Sequence, residues 1–352
     1  MHQFVVISTS AVNVVPSMPN FARYLVRRFI TLIPTILGVV FITFVIGYVI
    51  PSDLARAWAG GIKARPELVE ELKKKYHLED PLFIQFYFFL TGILTNSLES
   101  PTMGAPIFSI LMVLFPFTAQ LAIMSVLIAI LIGFPVGIFS AFKRDTTSDY
   151  LIRIWALSMN AMPAFFLGYM IRYAVFTVYG MLRILPPLFF KMPSRRITGL
   201  PILDALLLGE FDTLYNLLFR FFWPALTLGL IYGGIYARFI RNSILDVLDS
   251  EFMEFLKAKG VPKKAILIHA LRHTMIPLIT VIGFSFANLL GGAVLVEIVF
   301  HLPGIGSFMY NSLLLYDVVI ILGTTLFFAI IVILTSLIID IIYGIIDPRI
   351  RY

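Results

Sequence analysis

Apolar residues in this chain gather into runs of about 20 or more, the length that crosses about 30 Å of hydrocarbon. Six runs qualify, at about 24–50 (containing IPTILGVVFITFVIGYVI), 113–142, 151–182, 222–245, 276–300 and 318–346. Pro34, Pro135, Pro163 and Pro277 lie inside or at the edges of these runs. Spanning helices tolerate proline where neighbours satisfy the freed backbone groups. A further run at 81–94, PLFIQFYFFLTGIL, is too short to span and reads as an interfacial or buried helix.

Charge decides between six spans and seven. With six, residues 1–23, the loops after spans two and four, and the C-terminus share one side and carry 15 Lys/Arg against 8 acids. The opposite side carries 11 Lys/Arg against 12 acids, and Arg172 lies within span three. Basic loops face the cytoplasm, so both termini are placed there. Counting 81–94 as a span would scatter this asymmetry. Residues 1–17 hold no Lys or Arg ahead of their apolar residues and do not read as a secretory signal. Met18 is a candidate alternative start.

Composition agrees. Hydrophobic residues are 59% of 352 and charged residues 13%, against roughly 45–50% and 25% in soluble domains. That excess excludes disorder and argues against a water-soluble enzyme. Cysteine is absent, which removes disulfides, thiolate metal sites and cysteine nucleophiles. The net charge of +7 belongs to the cytoplasmic loops, so no nucleic-acid partner is expected. The reading is an all-α integral membrane protein of the cell membrane, multi-pass, with six transmembrane helices.

Two external segments are long enough to fold. In 51–105, PELVEELKKKYHLEDP places Leu68, Leu72 and Tyr76 at spacing four after Pro66, a short amphipathic helix. The segment 183–220 is loop-like and then partly helical. The cytoplasmic segment 249–275 predicts two short helices. Asp249 or Ser250 caps the first, Glu251 and Glu254 open it, Lys257 and Lys259 close it, and Gly260 ends it. Pro262 fits the first turn of the second. Phe252, Phe255 and Leu256 form an apolar stripe. Such a helix either lies on the membrane surface or inserts into a groove on a partner.

At this segment EFLKAKG (254–260) resembles the E-A-A-x-x-x-G motif of ABC importer permeases. AKGVPKKAILIHALRHTMIPLIT, which follows, is similar to the loop of the dipeptide/oligopeptide permease family. The resemblance runs from Tyr24 onward through YLVRRFITLIPTILGVVFITFVIGYVIPSDLA, LEDPLFIQF (78–86), SMNAMPAFFLG (158–168), FFWPALTLGL (221–230), GGAVLVEIVFHLPGIG (291–306) and the final DPRIRY. The chain departs from the motif at Phe255 and Leu256, where the family has small residues, in the position of Pro277, and in a long external stretch at 188–213.

The resemblance implies a type I ABC importer permease fold with external loop insertions. Residues 106–347 form the transmembrane core, behind an N-terminal extension (1–23) and ahead of a cytoplasmic C-terminus (348–352). It implies inward transport of peptides, short oligosaccharides or metal complexes. It also implies a second homologous permease subunit, two cytoplasmic ATPases and an external solute-binding protein. Coupling is expected at Glu251, Glu254, Phe255, Leu256, Lys257, Lys259, Gly260, Val261 and Pro262. The chain has no G-x-x-x-x-G-K-[ST], so fuel hydrolysis is expected elsewhere and no cofactor of its own is expected. Gly233-Gly234 and Gly291-Gly292 read as close helix packing. Gln120, Asn160, Arg172, Asn288 and Glu297 are candidates for the pathway or for bonds between helices. Asp340 is expected to pair with a basic residue. His269 and His273 lack the glutamate of H-E-x-x-H and read as surface residues. A secondary transporter or channel is the alternative.

Overall fold

The computed structural model describes residues 18–49, 54–59, 61, 64–100, 103–179, 191–315 and 317–346. The N-terminal extension before Met18, residues 180–190 and the closing DPRIRY lie outside them. The described helices are α1 Met18–Phe44, continued by a π-helical turn Val45–Val49, α2 Leu54–Trp58, α3 Pro66–Lys75, α4 Leu82–Leu94, α5 Ile107–Phe142, α6 Thr147–Ala161, α7 Ala164–Tyr179, α8 Pro201–Leu207, α9 Phe211–Leu248, α10 Glu251–Ala258, α11 Lys263–Gly292, α12 Val294–Phe300, α13 Ile305–Leu314 and α14 Val318–Ile346. Five stretches are long and apolar enough to span: Val26–Val49, Ile107–Phe142, Phe211–Leu248, Ala265–Gly291 and Val318–Ile342.

The third expected span is broken. α6 and α7 meet at 106° because Pro163 drives Met162 out of the helical region, to φ −81° and ψ 127°. The fifth expected span ends at Gly292, and 294–300 forms the separate helix α12. α12 and α13 are bent by 85° around His301, which sits in the left-handed region, and Pro303. The fourth expected span is the middle of a longer helix, so 211–220 belongs to α9 rather than to the preceding loop. α3 and the short α4 form where the sequence places them.

α5 and α9 run parallel and form the spine. Glycine permits their approach. A methyl on Gly133 would stand 2.6 Å from the Gly233 carbonyl oxygen, and one on Gly137 2.7 Å from that of Ala237. Lipid supplies no hydrophobic drive between helices, so such close backbone packing carries the association. Gly234 takes α6 in the same way, 3.1 Å from the Ala156 oxygen. α11 and α14 pack antiparallel beside the spine, and α1 lies against α14, where Arg28 pairs with Asp340 at 3.1 Å.

The external insertion is a folded cap. Tyr48 meets Trp58 at 5.0 Å and Phe89 at 5.2 Å between ring centroids. With Leu72, Ile107 and Leu322 they form one buried cluster joining α1–α5 and α14. Asp317 closes it: its carboxylate accepts from the Ser100 hydroxyl at 2.6 Å and from the Ile320 amide at 3.0 Å, capping α14. In the second external segment the buried Asp204 accepts from the Thr198 amide (2.7 Å), the Thr198 hydroxyl (2.6 Å) and the Gly199 amide (3.1 Å). Burial pushes this carboxyl up. The donors of Thr198, Ile197 and Gly199 outweigh it, and its pKa settles below the usual range.

Candidate functional site

α9 continues past the bilayer into α10. From Arg238 to Leu248 is ten residues, about 15 Å along the axis, and α11 carries His269, Arg272 and His273 near its start, all three exposed.

α10 is short but firmly seated. Met253 is fully buried against Ile266 and Ala270 of α11, with Leu256 and Val261 packed around it. The expected stripe is thus divided: Leu256 turns inward beside Met253, while Phe252 and Phe255 each remain 54% exposed. Lys259 Nζ lies 4.5 Å from the Phe255 ring centroid. Glu251, Glu254 and Lys257 are exposed, and Lys257 Nζ donates to the Leu248 carbonyl at 3.1 Å.

Gly260 adopts φ +75° with open space where a Cβ would be, the left-handed cap expected at this turn. Ser250 occupies the N-cap position, but its hydroxyl donates backward to the Val247 carbonyl at 2.6 Å instead of capping the helix. Pro262 is the N-cap residue of α11, one place before the first turn. The second expected short helix is not separate: α11 runs unbroken through Pro277 into the membrane. α10 is therefore joined directly to two long helices, α9 and α11.

Above α10 sits a polar lock that sequence reading had counted only as loop charge. Asp149 of α6, fully buried, accepts two hydrogen bonds from Arg241 of α9, from Nε to Oδ1 and from Nη2 to Oδ2, each 2.7 Å. Ser140 of α5 donates to Oδ1 at 2.5 Å, and the Asp145 amide to Oδ2 at 3.1 Å. A second, exposed pair joins Arg144 to Asp249 at 2.9 Å, on the residue that ends α9. Three helices and the start of α10 are thereby tied at one level. The available signal was an arginine two turns inside the polar end of an apolar helix.

The pathway candidates separate into four groups. Glu297 is buried on α12, accepting from the Thr118 hydroxyl of α5 at 2.6 Å and the Ser307 amide at 2.9 Å. Thr118 in turn accepts from the Ile305 amide at 3.0 Å, so Glu297 pins the α12–α13 pair to the spine. Arg172 donates to the Val299 carbonyl and Arg220 reaches the His301 carbonyl at 3.4 Å. Both serve the open carbonyl end of α12. Gln120 is buried and accepts from the Ile202 amide of α8 at 3.3 Å. Asn160 and Asn288 were candidates for bonds between helices, but both are exposed and make no side-chain hydrogen bond among the described residues.

Long apolar helices with glycine-mediated packing and a broken third span define a multi-pass helical membrane protein. The chain belongs to the family described as binding-protein-dependent transport system inner membrane component, whose model matches residues 133–352, and the N-terminal model of the same transport systems matches residues 21–122. It is 37% identical over 337 residues to a probable D,D-dipeptide transport system permease protein of Escherichia coli (strain K12), covering 94% of this chain and 98% of that one. A dipeptide transport system permease protein of Alkalihalophilus pseudofirmus is 33% identical over 331 residues, covering 94% and 99%. A glutathione transport system permease protein of Pectobacterium atrosepticum is 33% identical over 332 residues, with the same coverage. The chain is thus a permease component of an ABC importer and not itself an enzyme.

Proposed function

We propose that this chain forms half of the membrane pathway of an ATP-driven peptide importer. It pairs with a second homologous permease, receives its solute from an external binding protein, and is driven by two ATPases docked on residues 249–264. The observation that carries the coupling assignment is the exposure of Phe252 and Phe255 on a helix seated by Met253 and held about 15 Å beyond Arg238. Two exposed aromatic rings on a helix that also presents Glu251, Glu254, Lys257 and Lys259 suit a partner groove of complementary shape. Their bulk suits a wider groove than the small residues of the family motif would need. Peptide as solute is supported by the dipeptide and glutathione permeases among the relatives.

Asn160 and Asn288 support the pathway assignment. An unpaired amide facing lipid tails costs on the order of 4 kcal/mol or more. Their faces therefore belong against water or the second permease. ATP-dependent closure of the ATPases displaces α10, and α9 and α11 carry that displacement upward as the two permeases rock between inward- and outward-facing arrangements.

Because the chain has no cysteine, Phe255→Cys introduces a unique thiol. In the importer purified from native membranes, a short thiol-directed cross-linker at this site is expected to capture a P-loop ATPase, with ATP changing the yield. A thiol that instead reacts only with lipid-phase reagents, and captures no ATPase, overturns the coupling assignment.

A further inference from the structure

A cavity of about 230 Å³ opens between α6 and α9 at their basic end. It is much larger than the roughly 30 Å³ share of one water and below the roughly 300 Å³ at which drug-sized pockets begin. Arg153, Arg238, Arg241 and Asn242 line one part, and Ile152 and Leu157 line another. Nothing in the transport cycle described above uses it.

Its charge is not balanced by the protein. Among the described residues Asp149 is the carboxylate that ion-pairs with these guanidinium groups, and both its oxygens are committed to Arg241. Arg153 lies over the Tyr150 ring at 4.3 Å, its Nε is buried without a hydrogen bond, and the Asp149 oxygen is 3.8 Å away. Arg238 is exposed and has no ion pair among the described residues. Arg153 thus has only a 3.8 Å ion pair with a carboxylate already committed to Arg241, and Arg238 has none among the described residues, so two guanidinium groups keep unused donors at the cavity. Arginine forks match phosphate oxygens two at a time.

The other wall selects the kind of anion. α6 presents Leu151, Ile154 and Leu157, all exposed, continuing from the cavity mouth toward the hydrocarbon. A free phosphate would satisfy the arginines and leave this apolar strip uncovered, whereas a phospholipid places its phosphate on the first and its acyl chains along the second. The level fits as well: Arg238 marks where α9 turns polar, and cytoplasmic basic pockets between spanning helices suit anionic headgroups.

We propose that this cavity holds the phosphate of an anionic phospholipid of the cytoplasmic leaflet, gripped by Arg153 and Arg238, with its chains along α6. A lipid seated there contacts α6 beside the Asp149–Arg241 lock and so ties lipid composition to the rigidity of the end that bears α10.

The test uses the chain purified with its membrane partners. Native mass spectrometry follows retention of phosphatidylglycerol and phosphatidylcholine during graded delipidation. Wild type is expected to retain phosphatidylglycerol at least tenfold more strongly than phosphatidylcholine. The Arg153→Gln/Arg238→Gln double variant is expected to lose that preference, and Lys143→Gln, on the same side but outside the cavity, to keep it. Equal retention of the two lipids by wild type, or an unchanged preference in the double variant, overturns the proposal. A second readout needs no arginine substitution: Leu157→Cys in the cysteine-free chain is titrated with a maleimide. Phosphatidylglycerol vesicles are expected to slow labelling at least fivefold relative to phosphatidylcholine, with inorganic phosphate leaving the rate unchanged. Equal protection by millimolar inorganic phosphate would make the site one for free anions and sink the lipid assignment.

Discussion

Replacing Asp149 with asparagine tests the lock that holds α5, α6 and α9 together. The substitution keeps shape and volume. Its carbonyl can still accept from Arg241 Nε, but its amide then presents N–H groups to Arg241 Nη2 across a distance that is now 2.7 Å. One charge-assisted hydrogen bond becomes a donor–donor contact, and the Arg241 side chain, 11% exposed, keeps its charge without a counter-ion. Removing one partner of a buried pair costs roughly 3–5 kcal/mol. Because the cavity beside Arg241 admits some solvent or headgroup, the lower end, about 3 kcal/mol, is expected. Arg144→Gln removes the neighbouring exposed pair, 51% and 59% accessible, and should cost no more than about 1 kcal/mol. Both variants would be unfolded in mixed micelles of rising SDS content, alongside Arg241→Gln and the double variant Asp149→Asn/Arg241→Gln. The cycle should return a coupling energy of about 2 kcal/mol or more. If Asp149→Asn and Arg144→Gln shift the midpoint equally, or the cycle is additive, the buried pair is not what fastens this end.

Gly260→Leu meets no steric obstacle but forces an L residue into φ +75°, a strain of roughly 1–2 kcal/mol. Membrane insertion should be normal while solute uptake falls against ATP hydrolysis in proteoliposomes, and normal uptake would remove Gly260 from the coupling turn. Gly133→Ala sets a methyl 2.6 Å from the Gly233 oxygen, so α5 and α9 must part at a cost of about 1–3 kcal/mol; an unchanged SDS midpoint would show that they do not touch there. Asp204 has its pKa depressed in the fold, so its contribution is complete above the unfolded value of about 3.9 and fades as pH falls through the lower folded value. Protease protection of 191–210 should therefore hold from neutral pH down to about 4 and drop below it. Asp204→Asn should be weak at every pH, and protection lost already at pH 6 in wild type would contradict the assignment.

Much of the architecture was legible because it is encoded locally. Runs of apolar residues set the spans, Pro66 and the Leu68–Leu72–Tyr76 spacing set α3, and Gly260 marked its own turn. The bend within the third expected span was half visible. Pro163 accounts for the break, while packing fixes where α7 goes: a Cβ on Gly168 would stand 3.3 Å from the Phe300 ring of α12. The lock was hidden because Asp149 and Arg241 are 92 positions apart and each passes for ordinary loop charge. Of the candidate site, the Gly260 turn was readable and the division of the apolar face of α10 was not. Met253 turns inward and Phe252 outward because α10 packs on α11, a tertiary fact that no period of 3.6 contains.

The glycine seam between α5 and α9 has a mechanical consequence. Helices whose backbones touch cannot bend independently, so the two act as one stiff beam. At 1.5 Å per residue, the 38 residues of α9 make it about 57 Å long. A tilt of about 5° about its lower end carries the upper end roughly 5 Å sideways, close to one helical pitch. The upper end bears α8 and the Thr118–Glu297 pin, so a small change of angle at the α10 end reappears, magnified, at the opposite end of the molecule. A flexible pair of the same length would absorb the stroke along its shaft.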